Sequence, residues 1–169
     1  MKLPDGLRVR VACEADCVEL AAMRLRLQEL LERENPAMWR MTDARRQALP
    51  QFYAECVSDP EVCVLVAEFE GVSGVEIVGT AIGRIEAGRD VPRYGSIEDV
   101  WVQPPHRGRR ICRRLMSELA VFFEARGISE LTLGFVYGGS GGRIWQQLGF
   151  RPAVVIANGS LDTLKRQAP

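Results

Sequence analysis

Ser96 to Met116 reads S-I-E-D-V-W-V-Q-P-P-H-R-G-R-R-I-C-R-R-L-M, and the order of residue types along it decides the fold. Ile97, Val100 and Val102 belong to a short run of β-formers. Pro104-Pro105 stops that run, because proline has no N–H for a ladder and fixes its own φ. Past Arg107-Gly108 the apolar period changes, and Ile111, Leu115, Leu119 and Phe122 fall on one stripe of an α-helix. The stretch therefore predicts a strand, a turn and a helix in immediate succession. Such a helix start presents unpaired backbone N–H groups and the positive end of its dipole, and Arg107, Arg109 and Arg110 add charge. The expected ligand of the turn is a phosphate.

Upstream, Val62 to Phe69 and Val75 to Ile85 read as antiparallel strands joined by a turn at Gly71-Val72-Ser73-Gly74. After a connection from Ala87 to Arg93 that carries a glycine and several charges comes the organising strand, Tyr94 to Val102, which completes a three-strand meander feeding the helix. Leu7 to Val11 alternates apolar residues with Arg8 and Arg10, the period of a half-buried strand. From Glu14 to Arg33 the period is helical, with Leu20, Met23, Leu27, Leu30 and Leu31 as the stripe, and Asn35-Pro36 ends it. Residues 34 to 41, with Met38, Trp39 and Met41, form a link to a helix capped by Thr42. Pro50 suits the first turn of that helix's continuation, and Phe52, Tyr53 and Cys56 give it an inward face.

Downstream, Gly127 closes the central helix, and Leu131, Leu133 and Phe135 define another strand. A glycine-rich loop over 138–142 precedes a short helix carrying Ile144, Trp145 and Leu148. Ala153 to Ala157 reads as a last strand, and Asn158-Gly159 as a type I′ turn returning through Leu161 and Leu164. The expected architecture is α+β, a mixed and mainly antiparallel central sheet of about seven strands with helices on both faces.

At 169 residues and 47% apolar content the chain can bury one substantial core, and no repeat or linker divides it, so residues 1–169 are expected to form a single domain. Basic and acidic residues balance at 22 each, which gives the whole molecule no electrostatic reason to seek nucleic acid or an anionic membrane. No apolar run approaches the roughly 20 residues of a spanning helix. Met1 to Gly6 lacks the apolar core of a signal peptide, which predicts a cytoplasmic protein. The five cysteines are odd in number and show no C-x-x-C spacing, which argues against a disulfide framework or a zinc site. His106 is the only histidine, and no metal site is expected.

The window Arg107-Gly108-Arg109-Arg110-Ile111-Cys112, directly after a strand ending V-x-P, resembles the signature of the GNAT superfamily of acyl-CoA-dependent N-acetyltransferases. The W-Q-Q-L-G-F segment ending at Phe150 is similar to a second segment of that superfamily, Y-x-K-L-G-F. The resemblance implies a GNAT-like single domain with acetyl-CoA as co-substrate and no metal. It implies that the N–H groups of Gly108 to Cys112 hold the pyrophosphate, and that the backbone of Val100, Trp101 and Val102 pairs with the pantetheine amides as if it were another strand. Arg110 stands where the signature has its first glycine and Cys112 where Gly or Ala is usual, so both add side chain near the pyrophosphate.

A carboxylate on this strand is the implied base for the attacking amine. Glu98 and Asp99 are adjacent, so their side chains are expected on opposite faces, and the resemblance favours Glu98, with Glu86 and Asp99 in reserve. Trp145 occupies the place of a tyrosine that protonates the leaving thiolate in the superfamily. Indole N–H is no useful acid, although the ring can pack beside the thiol end. Gly138 replaces an asparagine that often accompanies that tyrosine, and Tyr137 is the nearest phenol.

The implied acceptor is a small-molecule or peptide amine, admitted past Met38, Trp39, Met41 and residues 153–164, and a homodimer is left open. Three other readings compete. Cys112, with its pKa lowered by the helix start, would allow a covalent route. The arginine cluster 107–114 would allow nucleic-acid binding, although it lacks interleaved aromatics. Missing tyrosine and substituted glycines would suit a non-catalytic acyl-CoA sensor.

Overall fold

The computed structural model describes residues 6–71, 74–87, 92–136, 138–139 and 141–167. The chain divides into two compact units, one running up to Glu29 and resuming over Met41–Gly134, the other comprising Leu30–Arg40 and the chain from Phe135.

The first unit is built on a five-stranded sheet in the order β1 (Leu7–Val11), β2 (Val62–Gly71), β3 (Gly74–Glu86), β4 (Tyr94–Val102) and β5 (Leu131–Leu133). The first three pairings are antiparallel, and β4 pairs with β5 in parallel. The meander from β2 to β4 lies where the alternation of β-formers and turn residues predicts it. Val72, Ser73 and residues 88–91, parts of its two connections, lie outside the described residues.

One face of this sheet packs on helices α1 (Cys17–Glu34) and α4 (Leu49–Ser58), with Leu20, Leu49 and Tyr53 against Val64, Val66 and Ile82. A short helix α3 (Asp43–Gln47) leads into α4, and Thr42 caps it as expected, its Oγ1 accepting from Arg45 N–H at 3.2 Å. The other face packs on α5 (Ile111–Glu124), whose buried stripe is Ile111, Leu115, Leu119 and Phe123. Phe123, next to the expected Phe122, faces inward. That packing needs glycine: a Cβ on Gly95 would come within 2.6 Å of both Leu131 Cδ2 and Phe123 Cε1. β4, α5 and β5 form a βαβ unit, which places the turn before α5 at the carboxyl ends of two parallel strands.

In the second unit, Asn35 caps a one-turn helix α2 (Pro36–Trp39) by accepting from Met38 N–H at 3.1 Å. Helix α6 (Gly142–Gln147) follows the glycine-rich loop, and α7 (Leu161–Gln167) follows an irregular stretch over 151–160. The last hairpin of the sequence reading is thus replaced, and the sheet has five strands among the described residues instead of about seven. Ser160 Oγ accepts from Thr163 N–H at 3.1 Å, a helix cap that competes with the turn expected from Asn158-Gly159. Asp162 in the first turn and Lys165 and Arg166 in the last complement the helix dipole.

Candidate active site

β5 pairs with β4 only from Gly95 to Ile97, so the edge of β4 from Glu98 to Val102 has no ladder partner on that side among the described residues. Which backbone groups face this open edge depends on a β-bulge. Ile82 pairs with Glu98 and Thr80 with Trp101, so Asp99 and Val100 together oppose Ala81. Before the bulge the odd-numbered residues face β5, as the 2.8 Å bond from Gly95 N–H to Glu130 C=O shows. After it, Gln103 N–H donates to Val78 C=O at 2.8 Å. Backbone groups alternate sides along a strand, so Val100 and Val102 now face the open edge while Trp101 faces β3.

The edge runs into the turn. A 3₁₀ turn over Pro104–His106 ends the strand, Gly108 follows at φ 76°, and Arg110 takes the N-cap position of α5 at φ 65°. Arg110 makes no side-chain cap, and Arg114 N–H to Arg110 C=O (3.1 Å) is the first backbone bond of the helix. Among the described residues the N–H groups of Gly108 to Arg113 therefore have no backbone acceptor. Arg107, Gly108, Arg109 and Arg110 are exposed, and among the described residues no carboxylate pairs with their guanidinium groups.

Arg107 has a second task that its place in the motif does not reveal. Its Nε donates to Val102 C=O at 3.0 Å, and its guanidinium carbon lies 4.6 Å from the centre of the Trp101 ring. The side chain thus ties the strand end to the turn. His106 packs its ring 5.4 Å from Phe69, with Nε2 3.9 Å from Glu76 Oε2. Cys112 departs from expectation, since burial pushes its thiol above the usual range, against the lowering expected at a helix start. The neutral thiol is a poor nucleophile.

On the α4 face of β4 the bulge has a second effect. Glu98 and Asp99 do not point to opposite faces: the left-handed Asp99 (φ 48°) breaks the alternation, and both carboxylates reach the side of the sheet occupied by α1 and α4. Glu98 Oε1 accepts from Ser96 Oγ at 3.2 Å and lies 3.6 Å from Arg84 Nε, and its side chain is 33% exposed, enough to meet a ligand. Each Asp99 oxygen has a partner, with Oδ2 accepting from the Tyr53 hydroxyl at 3.0 Å and Oδ1 2.8 Å from Arg24 Nε. Burial, with Asp99 close by, drives the Tyr53 pKa upward, so the hydroxyl stays a donor. Arg84 also donates to Cys56 Sγ at 3.3 Å. Sequence reasoning missed Arg24, Tyr53 and Arg84 as partners of these carboxylates. Two signals were present: Arg84 is the one charged residue between Val78 and Ile85, and a buried tyrosine needs a polar partner.

The sequence model of the Acetyltransferase (GNAT) family matches residues 24–150, a span holding β2 to β5, the bulge, the turn and α5. The chain belongs to this acetyltransferase family. Members use acetyl-CoA, which fits an open strand edge leading to an uncapped helix start. Among solved structures, the chain is similar to a predicted acetyltransferase with acetyl-CoA from Clostridium acetobutylicum, at 18% identity, covering 93% of this chain and 97% of that one, with TM-score 0.70. Glucosamine-6-phosphate N-acetyltransferase from Arabidopsis thaliana is 19% identical over 92% and 99% of the two chains, with TM-score 0.62. An aminoglycoside 6′-N-acetyltransferase from Acinetobacter baumannii is 13% identical over 92% and 97%, with TM-score 0.68. Among curated proteins, nothing matches significantly.

Of the expected site residues, Glu98, Val100, Trp101, Val102 and Arg107 to Cys112 all belong to the first unit of this acetyltransferase. Trp145 belongs to the second, where its ring meets Phe150 edge-on at 6.0 Å. Tyr137 lies outside the described residues. Among the described residues no group of three or more His, Cys, Asp or Glu side chains is placed to hold a metal ion, and no helix is long and apolar enough to cross a membrane.

Proposed function

We propose that the protein is a cytoplasmic N-acetyltransferase that moves the acetyl group of acetyl-CoA to a primary amine by direct attack within a ternary complex, residues 1–169 acting as one domain. The observation that carries this reading is the open edge of β4 running into the uncapped start of α5. Acetyl-CoA supplies an activated thioester. The N–H groups of Gly108 to Cys112 receive its pyrophosphate, with Arg107, Arg109 and Arg110 adding charge. The backbone of Val100 and Val102 pairs with the pantetheine amides by strand addition.

Glu98 takes the proton of the attacking amine, directly or through one water, and Ser96 and Arg84 orient its carboxylate. Glu98 is preferred to Asp99 for that task because each Asp99 oxygen already holds a partner. No dedicated acid is required for the leaving group, since a thiol with a reference pKa of about 8.5 leaves tolerably as thiolate at neutral pH. Trp145 in place of tyrosine is therefore compatible with turnover.

That same tryptophan favours one second reading, a non-catalytic acyl-CoA sensor. Two measurements separate the possibilities. Calorimetry with coenzyme A is expected to show binding, and free-thiol release from acetyl-CoA is then followed across polyamines, amino acids, aminoglycosides and peptide N-termini. Binding without thiol release over the whole panel would establish the sensor. Failure to bind coenzyme A, with binding of an oligonucleotide at physiological salt, would replace both readings by the arginine-cluster alternative.

A further inference from the structure

Asp99 is a non-glycine residue in left-handed backbone (φ 48°), a conformation that costs an L side chain free energy unless its surroundings hold it. The surroundings here are specific. The Tyr53 hydroxyl, wholly buried, donates to one carboxylate oxygen at 3.0 Å, and Arg24 Nε lies 2.8 Å from the other. Arg24 is itself held, with Nη1 donating at 2.8 Å to Oε1 of Gln28, a residue 1% exposed. Tyr53 from α4 and Arg24 from α1, the latter held by Gln28, thus grip one of the two residues that form the bulge in β4.

The register shows what the grip controls. Without the bulge, β4 would continue from Glu98 opposite Ile82, placing Val102 opposite Val78 and Val100 opposite Thr80. Val78 directs its carbonyl toward β4, as its bond from Gln103 shows, so the N–H and C=O groups of Val102 and Val100 would be consumed by β3. Trp101 would cross to the α5 face, and the Arg107 contact with its ring would be lost. The residue most able to relax into regular strand is Asp99 itself.

We infer that Asp99, clamped by Tyr53 and Arg24, is a positioning residue for acetyl-CoA: it locks the bulge that turns the backbone of Val100 and Val102 to the open edge. The clamp touches neither substrate and acts through backbone register. It rests on the acetyltransferase reading above, and its test is arranged so that the two can fail separately.

Asp99→Ala removes the clamp and disfavours left-handed backbone, and it is expected to weaken coenzyme A binding about tenfold. Tyr53→Phe keeps the buried ring and removes one bond, with an expected loss of about threefold. Asp99→Asn keeps an acceptor and tolerates left-handed backbone, so its affinity is expected to return to within about threefold of the wild type. Binding is measured by calorimetry well below each variant's melting temperature, together with KM for acetyl-CoA and kcat where turnover is found. The inference predicts the change in coenzyme A affinity and in KM ahead of kcat. Lower melting temperatures with unchanged coenzyme A affinity in Asp99→Ala and Tyr53→Phe would overturn it and leave the acetyltransferase reading intact. If Asp99→Ala does not fold, Tyr53→Phe decides by the same criterion. A wild type that binds no coenzyme A would overturn the acetyltransferase reading, and this inference with it.

Discussion

The two faces of β4 are held by different means. Toward α5 the contact is steric: Gly95, together with Gly79 and Gly83 on the neighbouring β3, lets Ile111, Leu119 and Phe123 approach the backbone. Toward α1 and α4 it is polar and specific, with Tyr53 and Arg24 on Asp99, and Arg84 shared by Glu98 and Cys56. The α5 face adjoins the proposed cofactor site, made of backbone N–H groups, in which a side chain can change while the geometry persists. The α4 face adjoins the proposed base, a site made of side chains, in which identity matters residue by residue. Substitutions on the two faces should accordingly fail in different ways.

The largest effect is expected at Glu98. Glu98→Gln should lower turnover by roughly 10²-fold or more at low pH, where the amine is almost wholly protonated and needs help to lose its proton. The deficit should shrink as pH approaches the amine's own pKa, and coenzyme A affinity should stay near wild type. A variant with a wild-type pH–rate profile would return Glu98 to a structural part and erase the functional half of the comparison.

On the steric face, Gly95→Ala should cost stability instead. The added Cβ meets the rigid, buried ring of Phe123 and the side chain of Leu131, an overpacking worth about 1–3 kcal/mol. Thermal denaturation reads it, and turnover per folded molecule at low temperature should change little.

A polar network away from the candidate site provides the control. Arg10 bridges Asp16, at 2.6 Å, and Glu68, and the neighbouring guanidinium lowers the Asp16 pKa to about 2. The folded pKa lies below the ordinary carboxylate value, so the stabilisation is present above about pH 4 and is lost as pH falls toward 2. Asp16→Asn should therefore destabilise the protein by on the order of 2 kcal/mol at neutral pH and by progressively less through that window. Coenzyme A affinity should not move. If it does, polar networks in this fold affect the site through stability alone, and the distinction drawn for Asp99 loses its force.

These contrasts track what was legible in the sequence. The meander, the turn and α5 were readable because each rests on local chemistry: alternation, proline stops, a 3.6-residue stripe and glycine. The turn's donors were readable for the same reason. The bulge was not, because Glu98-Asp99-Val100 carries no glycine and reads as unbroken strand, and its cause lies in Tyr53 and Arg24, remote in sequence. Placing the two carboxylates on opposite faces followed from regular alternation, which long-range hydrogen bonds override here. The final hairpin failed for the converse reason. Asn158-Gly159 and the Ser160 cap are both strong local signals, and the capped helix of α7 is the one that forms.

The smallest expected effect bears on the claim that the backbone-built face tolerates change. Arg110 stands at φ 65°, ψ 13°, a conformation in which an L side chain crowds the following carbonyl and glycine does not. Its side chain makes no cap to offset that cost. Arg110→Gly should therefore stabilise the protein, or at least leave it unchanged, because relief of about 1 kcal/mol of backbone strain is set against the greater freedom glycine gives the unfolded chain. The same substitution removes one positive charge from the turn, while Arg107 and Arg109 and the open N–H groups remain. Coenzyme A affinity should accordingly fall by less than about tenfold, the 1.4 kcal/mol at the lower end of a charged hydrogen bond's usual worth. Melting temperature and affinity measured on the one variant distinguish the two ways a site can be built. A more stable protein that still binds supports a backbone cradle, whereas loss of binding beyond tenfold would make Arg110 a side-chain ligand and bring this face under the same rule as the other.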